Sequence, residues 1–487
     1  MEIYRMPELE LLPHQVELVD KMCADEAEYE GCVNFSTMGL GKSACAIALM
    51  KRRPMDFNLL VVPKGIVQNW LNEFKKFTNW NVMIFDRRTS DIEDIMDYDV
   101  VITSYDLLYS RGANGNLKTD LHYIDFDRII FDEVHLIRNN KTKRFQSASL
   151  LNGEFKVLLS GTPISGCNNN NQEFANYCEL LRVDKEDFKS LYQRKTLNDV
   201  EGMPEVKYKN RSIELSEEHR AIFEQLGLLM PPEENQFNWI AHIRDRFEGF
   251  GIAPDVYEPI VFANQGLVKY GRKKYTLAGP NMLINILNQQ LPSDALNFEK
   301  IHRFDDEKLN KLNYLDRMVE KNKKTLIITN YKIENELIYE RLANRGLNVA
   351  RINGDSKQAD RDDIIEKSRF KFDDIFNAGY NRLFRLPFDI QEEIYKNVNT
   401  DVVVANCNCV STGLNLQHFS DLIIYSTPVS AIAFAQVLAR VVRIGSPHKK
   451  VNISTLYYDD TLEEDILKRH TAKMQKFESL DEIVENY

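Results

Sequence analysis

The stretch Ser36-Thr-Met-Gly-Leu-Gly-Lys-Ser43 decides how this chain is read. It follows the apolar Cys32-Val-Asn-Phe35 and precedes Ala44-Cys-Ala-Ile-Ala-Leu-Met50, a run suited to a buried helix. A strand, a glycine turn and a helix start are the parts of a phosphate cradle. In the loop Met38-Gly39-Leu40-Gly41, the two glycines let backbone N–H groups approach phosphate oxygens, and the helix N-terminus favours an anion. Lys42 would reach the β- and γ-phosphates of ATP, and the Ser43 hydroxyl would hold Mg2+. Ser36 stands where the strict G-x-x-x-x-G-K-[ST] pattern has its first glycine. Alone, the loop therefore also reads as a glycine-rich turn into a core helix.

Three further motifs follow in order. Arg128-Ile-Ile-Phe-Asp-Glu-Val-His135 is an apolar strand ending in two adjacent carboxylates. Asp132 is the expected Mg2+ ligand, and Glu133 the group that polarises the attacking water. Leu159-Ser-Gly-Thr-Pro163 closes another strand with small hydroxyl residues; Ser160 and Thr162, with His135, are read as relaying the nucleotide state. Gln436-Val-Leu-Ala-Arg-Val-Val-Arg-Ile-Gly445 carries Arg440 and Arg443 three apart, a spacing that puts both on one helix face. Two guanidiniums suit a γ-phosphate whose charge spreads over three oxygens. Each motif has an ordinary reading as a strand stop or a pair of surface arginines. Their occurrence in this order argues against coincidence.

Outward from these motifs, short apolar runs alternate with helical patterns in two regions. Asn58-Leu-Leu-Val-Val62, Val100-Val-Ile-Thr103, Arg128-Ile-Ile-Phe131 and Lys156-Val-Leu-Leu-Ser160 form the first set. Thr325-Leu-Ile-Ile-Thr329, Asp401-Val-Val-Val-Ala405 and Asp421-Leu-Ile-Ile-Tyr425 form the second. Runs apolar on both faces suit parallel strands buried between helices. The fold class is α/β: two parallel-sheet lobes in tandem, at 1–185 and 307–470, with the ATP site in the cleft between them. The connecting segment 186–306 reads as mainly helical and charged, with Pro231-Pro232 as a breaker. Its Lys269-Tyr-Gly-Arg-Lys-Lys-Tyr275 interleaves basic and aromatic residues and reads either as a solvated hairpin or as a nucleic-acid contact. A second insertion is placed at 371–400 and a helical tail at 471–487.

The bulk numbers set limits. With 487 residues the chain exceeds one ordinary core. A hydrophobic fraction of 43% and a charged fraction of 28% exclude a disordered or fibrous chain. The net charge of −11 tells against a general nucleic-acid coat but leaves room for a local basic track. Seven scattered cysteines, including the lone pair Cys407 and Cys409, show no zinc spacing and read as reduced, buried thiols of an intracellular protein. The N-terminus has no apolar leader, and no run is long enough to span a membrane.

Taken together, these motifs resemble the superfamily 2 helicase-like ATPases, specifically the SWI/SNF-like class of DNA translocases with two RecA-like lobes. Leu12-Pro-His-Gln15 resembles the opening segment of that class, which implies that Gln15 reads adenine. Met38-Gly-Leu-Gly-Lys-Ser43 is its form of the phosphate loop, which also lacks the first glycine. Leu60-Val-Val-Pro63 with Val67-Gln-Asn-Trp-Leu-Asn-Glu-Phe74, and Ile102-Thr-Ser-Tyr105, resemble the next motifs. Asp132-Glu-Val-His135 stands where the family has Asp-Glu-Ala-His. Gln193-Arg-Lys-Thr196, Met203-Pro204 and Ile213-Glu-Leu-Ser216 with Arg220 are similar to the connecting region of this class rather than of helicases in general. Asn281-Met-Leu-Ile-Asn-Ile-Leu287, Lys308-Leu309, Arg351-Ile-Asn-Gly354 with Arg361, and Ser411-Thr-Gly-Leu-Asn-Leu416 complete the set.

The resemblance implies a magnesium-dependent ATPase that tracks double-stranded or branched DNA. A strand would be held at Thr103, Ser104, Ser411 and Thr412, and Gln436 would join His135, Ser160 and Thr162 in coupling. The glycine-rich stretch before Leu414 is shortened, and 371–400 has no counterpart in the class. Without a chromatin-reading module, a compact viral, phage or microbial translocase is expected in a cytoplasmic or nuclear setting. Strand separation, branch migration, action in transcription and a non-catalytic nucleotide-regulated module remain as alternatives.

Overall fold

The computed structural model describes residues 9–87, 95–109, 116–165, 170–217, 220, 267–270, 273–276, 310–321, 323–330, 332–369, 400–411, 414–428, 430–485 and 487. The 371–400 insertion except Thr400, Cys167, most of 221–306 and Thr412 lie outside these residues. Two compact units emerge. The first comprises 1–203, 443–445 and 473–487, and the second 204–442 and 446–472.

The first unit is built on six parallel strands: β1 (Gly31–Asn34), β2 (Asn58–Val62), β3 (Val82–Ile84), β4 (Val100–Ser104), β5 (Asp125–Asp132) and β6 (Asn152–Leu159). Their order is β1-β6-β5-β2-β4-β3. Strand periodicity of two explains why apolar runs formed them. Leu60 and Val62 enter one core with the helices α1 (Pro13–Tyr29), α2 (Lys42–Arg52) and α3 (Val67–Phe77), while Leu59 and Val61 enter a second core with Phe145, Phe174 and Phe188. Both faces are thus covered, as a parallel sheet requires.

The C-terminal end of the chain packs into this first unit. Leu480 and Val484 of the helix Leu480–Glu485 are buried in the second core, and the Tyr487 ring lies 5.3 Å from that of Phe174. Arg194 pairs with Asp481 at 2.8 Å.

The second unit has its own six-stranded parallel sheet. It contains β7 (Glu205–Ile213), β10 (Thr325–Thr329), β11 (Val349–Ile352), β12 (Val402–Asn406), β13 (Asp421–Ile424) and β14 (Lys450–Tyr458), in the order β11-β12-β10-β13-β14-β7. Strand β7 departs from the helical reading of 186–306. Its Glu-Val-Lys-Tyr-Lys-Asn sequence alternates without an apolar face, and most of its residues are exposed or half-buried. A nine-residue parallel ladder on β14 holds it at the sheet edge. The strands β8 (Leu267–Tyr270) and β9 (Lys273–Thr276) pair antiparallel. Among the described residues no helix is long and apolar enough to cross a membrane.

Candidate active site

Three neighbouring strands of the first sheet end at the same level. Asn34 of β1 pairs with Leu159 of β6, and Leu159 pairs with Asp132 of β5. The glycine loop, the Ser160 turn and the Asp132-Glu133 pair therefore leave one edge of the sheet side by side. That edge is where open parallel sheets bind ligands.

The loop has the backbone its glycines imply. Gly39 and Gly41 have φ of 88° and 81°, the left-handed region that a side chain strains. Gly41 caps α2 and has no side chain to bond the first-turn amides, and a Cβ there would lie 2.3 Å from Gln15 Nε2. Lys42 Nζ donates to the carbonyls of Ser36 (2.8 Å) and Thr37 (3.4 Å), curling over its own loop. Leu40 is buried and Met38 half-buried. Ser36 accepts a hydrogen bond from the Lys195 amide through Oγ at 3.0 Å, so the serine at the first-glycine position ties the loop to the Gln193–Thr196 segment.

Gln15 is buried beside this loop. Its Oε1 accepts from the Leu12 amide (2.9 Å), closing the first turn of α1, and its Nε2 donates to the Leu40 carbonyl (3.1 Å). Gln15 thus braces the phosphate loop against the first turn of α1, with one N–H and one oxygen lone pair of its amide left over.

The acids are locked more tightly than their sequence suggests. Asp132 Oδ1 accepts the Glu133 amide at 2.9 Å and Oδ2 accepts Trp70 Nε1 at 2.7 Å. The Asp132 carbonyl accepts the Tyr105 hydroxyl at 2.8 Å. Burial, then the neighbouring Glu133 charge, push the Asp132 carboxyl up to about 6, against the opposing Trp70 hydrogen bond and Lys42. A bound cation would offset that cost. Glu133 sits at φ 52°, a left-handed position uncommon for a side-chain-bearing residue and typical of strain held at functional sites. Its Oε2 lies 3.1 Å from His135 Nδ1, which lies 3.2 Å from Ser160 Oγ. Ser160 Oγ in turn accepts the Thr162 amide at 3.2 Å. Glu133, His135, Ser160 and Thr162 thus form one polar chain across two strand ends.

Gly161 completes the junction. A Cβ there would lie 2.4 Å from Met38 Cγ, 3.0 Å from its amide nitrogen and 3.1 Å from Lys42 Nζ. Only a bare backbone lets the Ser160 turn come this close to the phosphate loop. Gly161→Ala is expected to lower ATP turnover by roughly 10- to 100-fold through displacement of Lys42. Steady-state hydrolysis at saturating ATP checks this.

The residues fit a magnesium–nucleotide complex: a helix N-terminus after two left-handed glycines, a lysine on the loop, a hydroxyl at Ser43 and a buried carboxylate at Asp132. Among the described residues no cluster of three or more His, Cys, Asp or Glu forms a separate metal site, and the six described cysteines are free thiols.

Other expected site residues fall elsewhere. Thr103 and Ser104 end β4 with only 1% and 3% of their surface exposed, and Thr103 Oγ1 has no hydrogen-bond partner. Ser411 ends the helix Cys407–Ser411, and Thr412 lies outside the described residues. Gln436 and Arg440 are half-buried on the helix Ala431–Val441, with the Arg440 carbonyl accepting from the Leu416 amide at 3.2 Å. The expectation that Arg440 and Arg443 share one helix face is corrected. The helix ends at Val441, Val442 is extended at ψ 97° and Gly445 has φ 79°. Arg443 belongs to the first unit, where burial lowers its guanidinium pKa against the opposing charge of Glu73.

Trp70 and Tyr105 stand within sequence motifs that assign neither a role. The available signal was a tryptophan on an amphipathic helix directly after a central strand.

A sequence model of the SNF2-related domain matches residues 14–240. ATP-dependent helicase FUN30 of Saccharomyces cerevisiae is 28% identical over 187 residues, 34% of this chain and 16% of that protein. The Homo sapiens SWI/SNF-related matrix-associated actin-dependent regulator of chromatin subfamily A member 1 is 23% identical over 487 residues, 94% of this chain and 42% of that protein. The chain therefore spans less than half the length of these relatives. The solved Sulfolobus solfataricus SWI2/SNF2 ATPase core in complex with dsDNA is 19% identical, with 99% of this chain and 97% of that one covered at a TM-score of 0.37.

Proposed function

We propose that this chain, whose residues 14–240 match a model of the SNF2-related domain, is a SWI/SNF-like superfamily 2 ATPase that hydrolyses ATP to move along duplex DNA. The observation that carries this reading is the in-register ending of β1, β6 and β5, which gathers the phosphate loop, the hydroxyl turn and the paired acids. In the proposed reaction, loop amides and Lys42 hold the β- and γ-phosphates, and Gln15 reads adenine. Ser43 and Asp132 would hold Mg2+, which would supply neutralisation of phosphate charge. Glu133 orients and polarises the attacking water. Arg440 and Arg443 stabilise the charge that spreads over the γ-phosphoryl oxygens. His135, Ser160 and Thr162 register the change at Glu133, and Gln436 responds in the second unit.

Nucleic acid is held mainly through phosphates, which carry little sequence information. Hydrolysis is therefore expected to rise on adding duplex DNA of any sequence, and the rise to shrink as salt increases. ATPase rates with duplex, branched and single-stranded DNA and with RNA test this. A rate indifferent to every nucleic acid would sink the motor reading. The β8–β9 hairpin favours a second reading, strand separation with the hairpin as wedge. Release of a labelled strand from a forked duplex, beside displacement of a triplex-forming strand, decides between them.

A further inference from the structure

The carboxylate of Asp132 is held by a residue outside the acid motif. Trp70, on the second turn of α3, is 2% exposed and donates Nε1–H to Asp132 Oδ2 at 2.7 Å. The other oxygen, Oδ1, takes the Glu133 amide at 2.9 Å. Each oxygen therefore holds one fixed N–H, and the carboxylate plane cannot turn without breaking a hydrogen bond. The Tyr105 hydroxyl fixes the backbone below through the Asp132 carbonyl. A buried indole needs an acceptor, but any carbonyl would satisfy it. This one takes an oxygen from the buried acid assigned to Mg2+. The Trp70 ring is anchored against Phe74 at 5.8 Å, and Phe74 against Trp80 at 6.0 Å. The donor thus sits on a packed aromatic row.

We propose that Trp70 is a positioning residue for the magnesium-binding carboxylate, pre-setting the orientation of Asp132 before Mg2+ and ATP arrive. Partners of this kind orient metal ligands, and their loss typically weakens metal affinity or activity by ~10- to 100-fold. The proposal rests on the ATPase reading above and adds to it how the acid is aimed. Trp70 also lies four residues past the Lys64–Ile66 turn, in the segment that follows β2. The same hydrogen bond therefore joins that segment to the metal ligand.

The test uses the full chain and compares wild type, Trp70→Phe, and a protein carrying 3-benzothienylalanine at position 70, which keeps the ring shape and puts sulfur in place of N–H. Phe74→Leu is the packing control. Two quantities are read: the Mg2+ concentration for half-maximal ATP hydrolysis, and binding of a fluorescent ATP analogue in Mg2+ and in EDTA. Both position-70 variants are expected to need roughly tenfold more Mg2+, with binding in EDTA changed less than about twofold. Phe74→Leu is expected to keep the wild-type Mg2+ requirement. A wild-type Mg2+ requirement in the benzothienyl protein overturns the proposal, even if Trp70→Phe fails to fold. So does an equal loss of binding in Mg2+ and EDTA, or the same Mg2+ shift in Phe74→Leu. Absence of Mg2+-dependent hydrolysis in the wild type would instead defeat the ATPase reading.

Discussion

Glu133→Gln is expected to slow ATP hydrolysis by about 10²- to 10⁴-fold while ATP binding stays intact. The amide has the size of the carboxylate and can keep its place beside His135, 3.1 Å away in the wild type. The left-handed backbone at φ 52° is set by the strand end and its neighbours, so it survives the change. What disappears is an anionic oxygen able to accept a proton from the attacking water. One side effect has a defined sign. The Glu133 charge is the second cause, after burial, that raises the Asp132 carboxyl. Removing it lowers that carboxyl, so Asp132 stays ionised to lower pH and binding of Mg2+ with ATP should not suffer. Single-turnover hydrolysis beside equilibrium nucleotide binding separates the two effects. A variant that retains full turnover would remove Glu133 from its role, and one that loses binding equally would make it a structural residue.

The sheets were legible because their strands are apolar on both faces. Asn58–Val62 and Thr325–Thr329 form β2 and β10 with the bounds their sequence suggests, every residue buried. Strand β7 was not, because it is held by backbone pairing at an edge, and an alternating charged sequence carries no burial signal. The phosphate loop and the acid pair were legible because their chemistry is local: glycines that must turn and carboxylates at a strand end. Their supports were not local. Trp70 is 62 positions from Asp132, and Gln15 is 25 from the Leu40 carbonyl. Nothing in either stretch names its partner. The arginine pair failed for another reason. The helical spacing of Gln436–Gly445 runs on past Val441, but the β-branched Val441-Val442 step and the left-handed Gly445 stop the helix first. The tail at 471–487 gave a helix signal and no hint that Leu480 and Val484 complete the core of the first unit.

Arg128→Met is expected to destabilise the first unit by about 3–5 kcal/mol. Arg128 and Glu26 are both fully buried and paired through two hydrogen bonds, Nε to Oε1 at 2.6 Å and Nη2 to Oε2 at 2.7 Å. Arg128 also reaches the Arg53 carbonyl (2.9 Å) and Asn58 Oδ1 (3.2 Å), while Arg53 Nε pairs with Glu26 at 2.8 Å. One guanidinium thus ties α1, the end of α2 and β2 to β5. Methionine fills much of the volume but leaves the Glu26 charge buried with only Arg53 beside it, and a carbonyl and an amide oxygen without a donor. The cost is mainly that uncompensated charge rather than the lost attraction. Glu26→Gln added to Arg128→Met should therefore recover much of the stability, which the single change cannot if packing is the cause. Urea unfolding of the three proteins decides this, and an Arg128→Met midpoint equal to wild type would refute the pin. Saturating Mg2+ and ATP should raise all three midpoints, since a ligand held only by the folded state stabilises it by mass action. The rise should be of similar size in each protein, because the network grips the far end of α2 and leaves Lys42 and Ser43 at its beginning untouched.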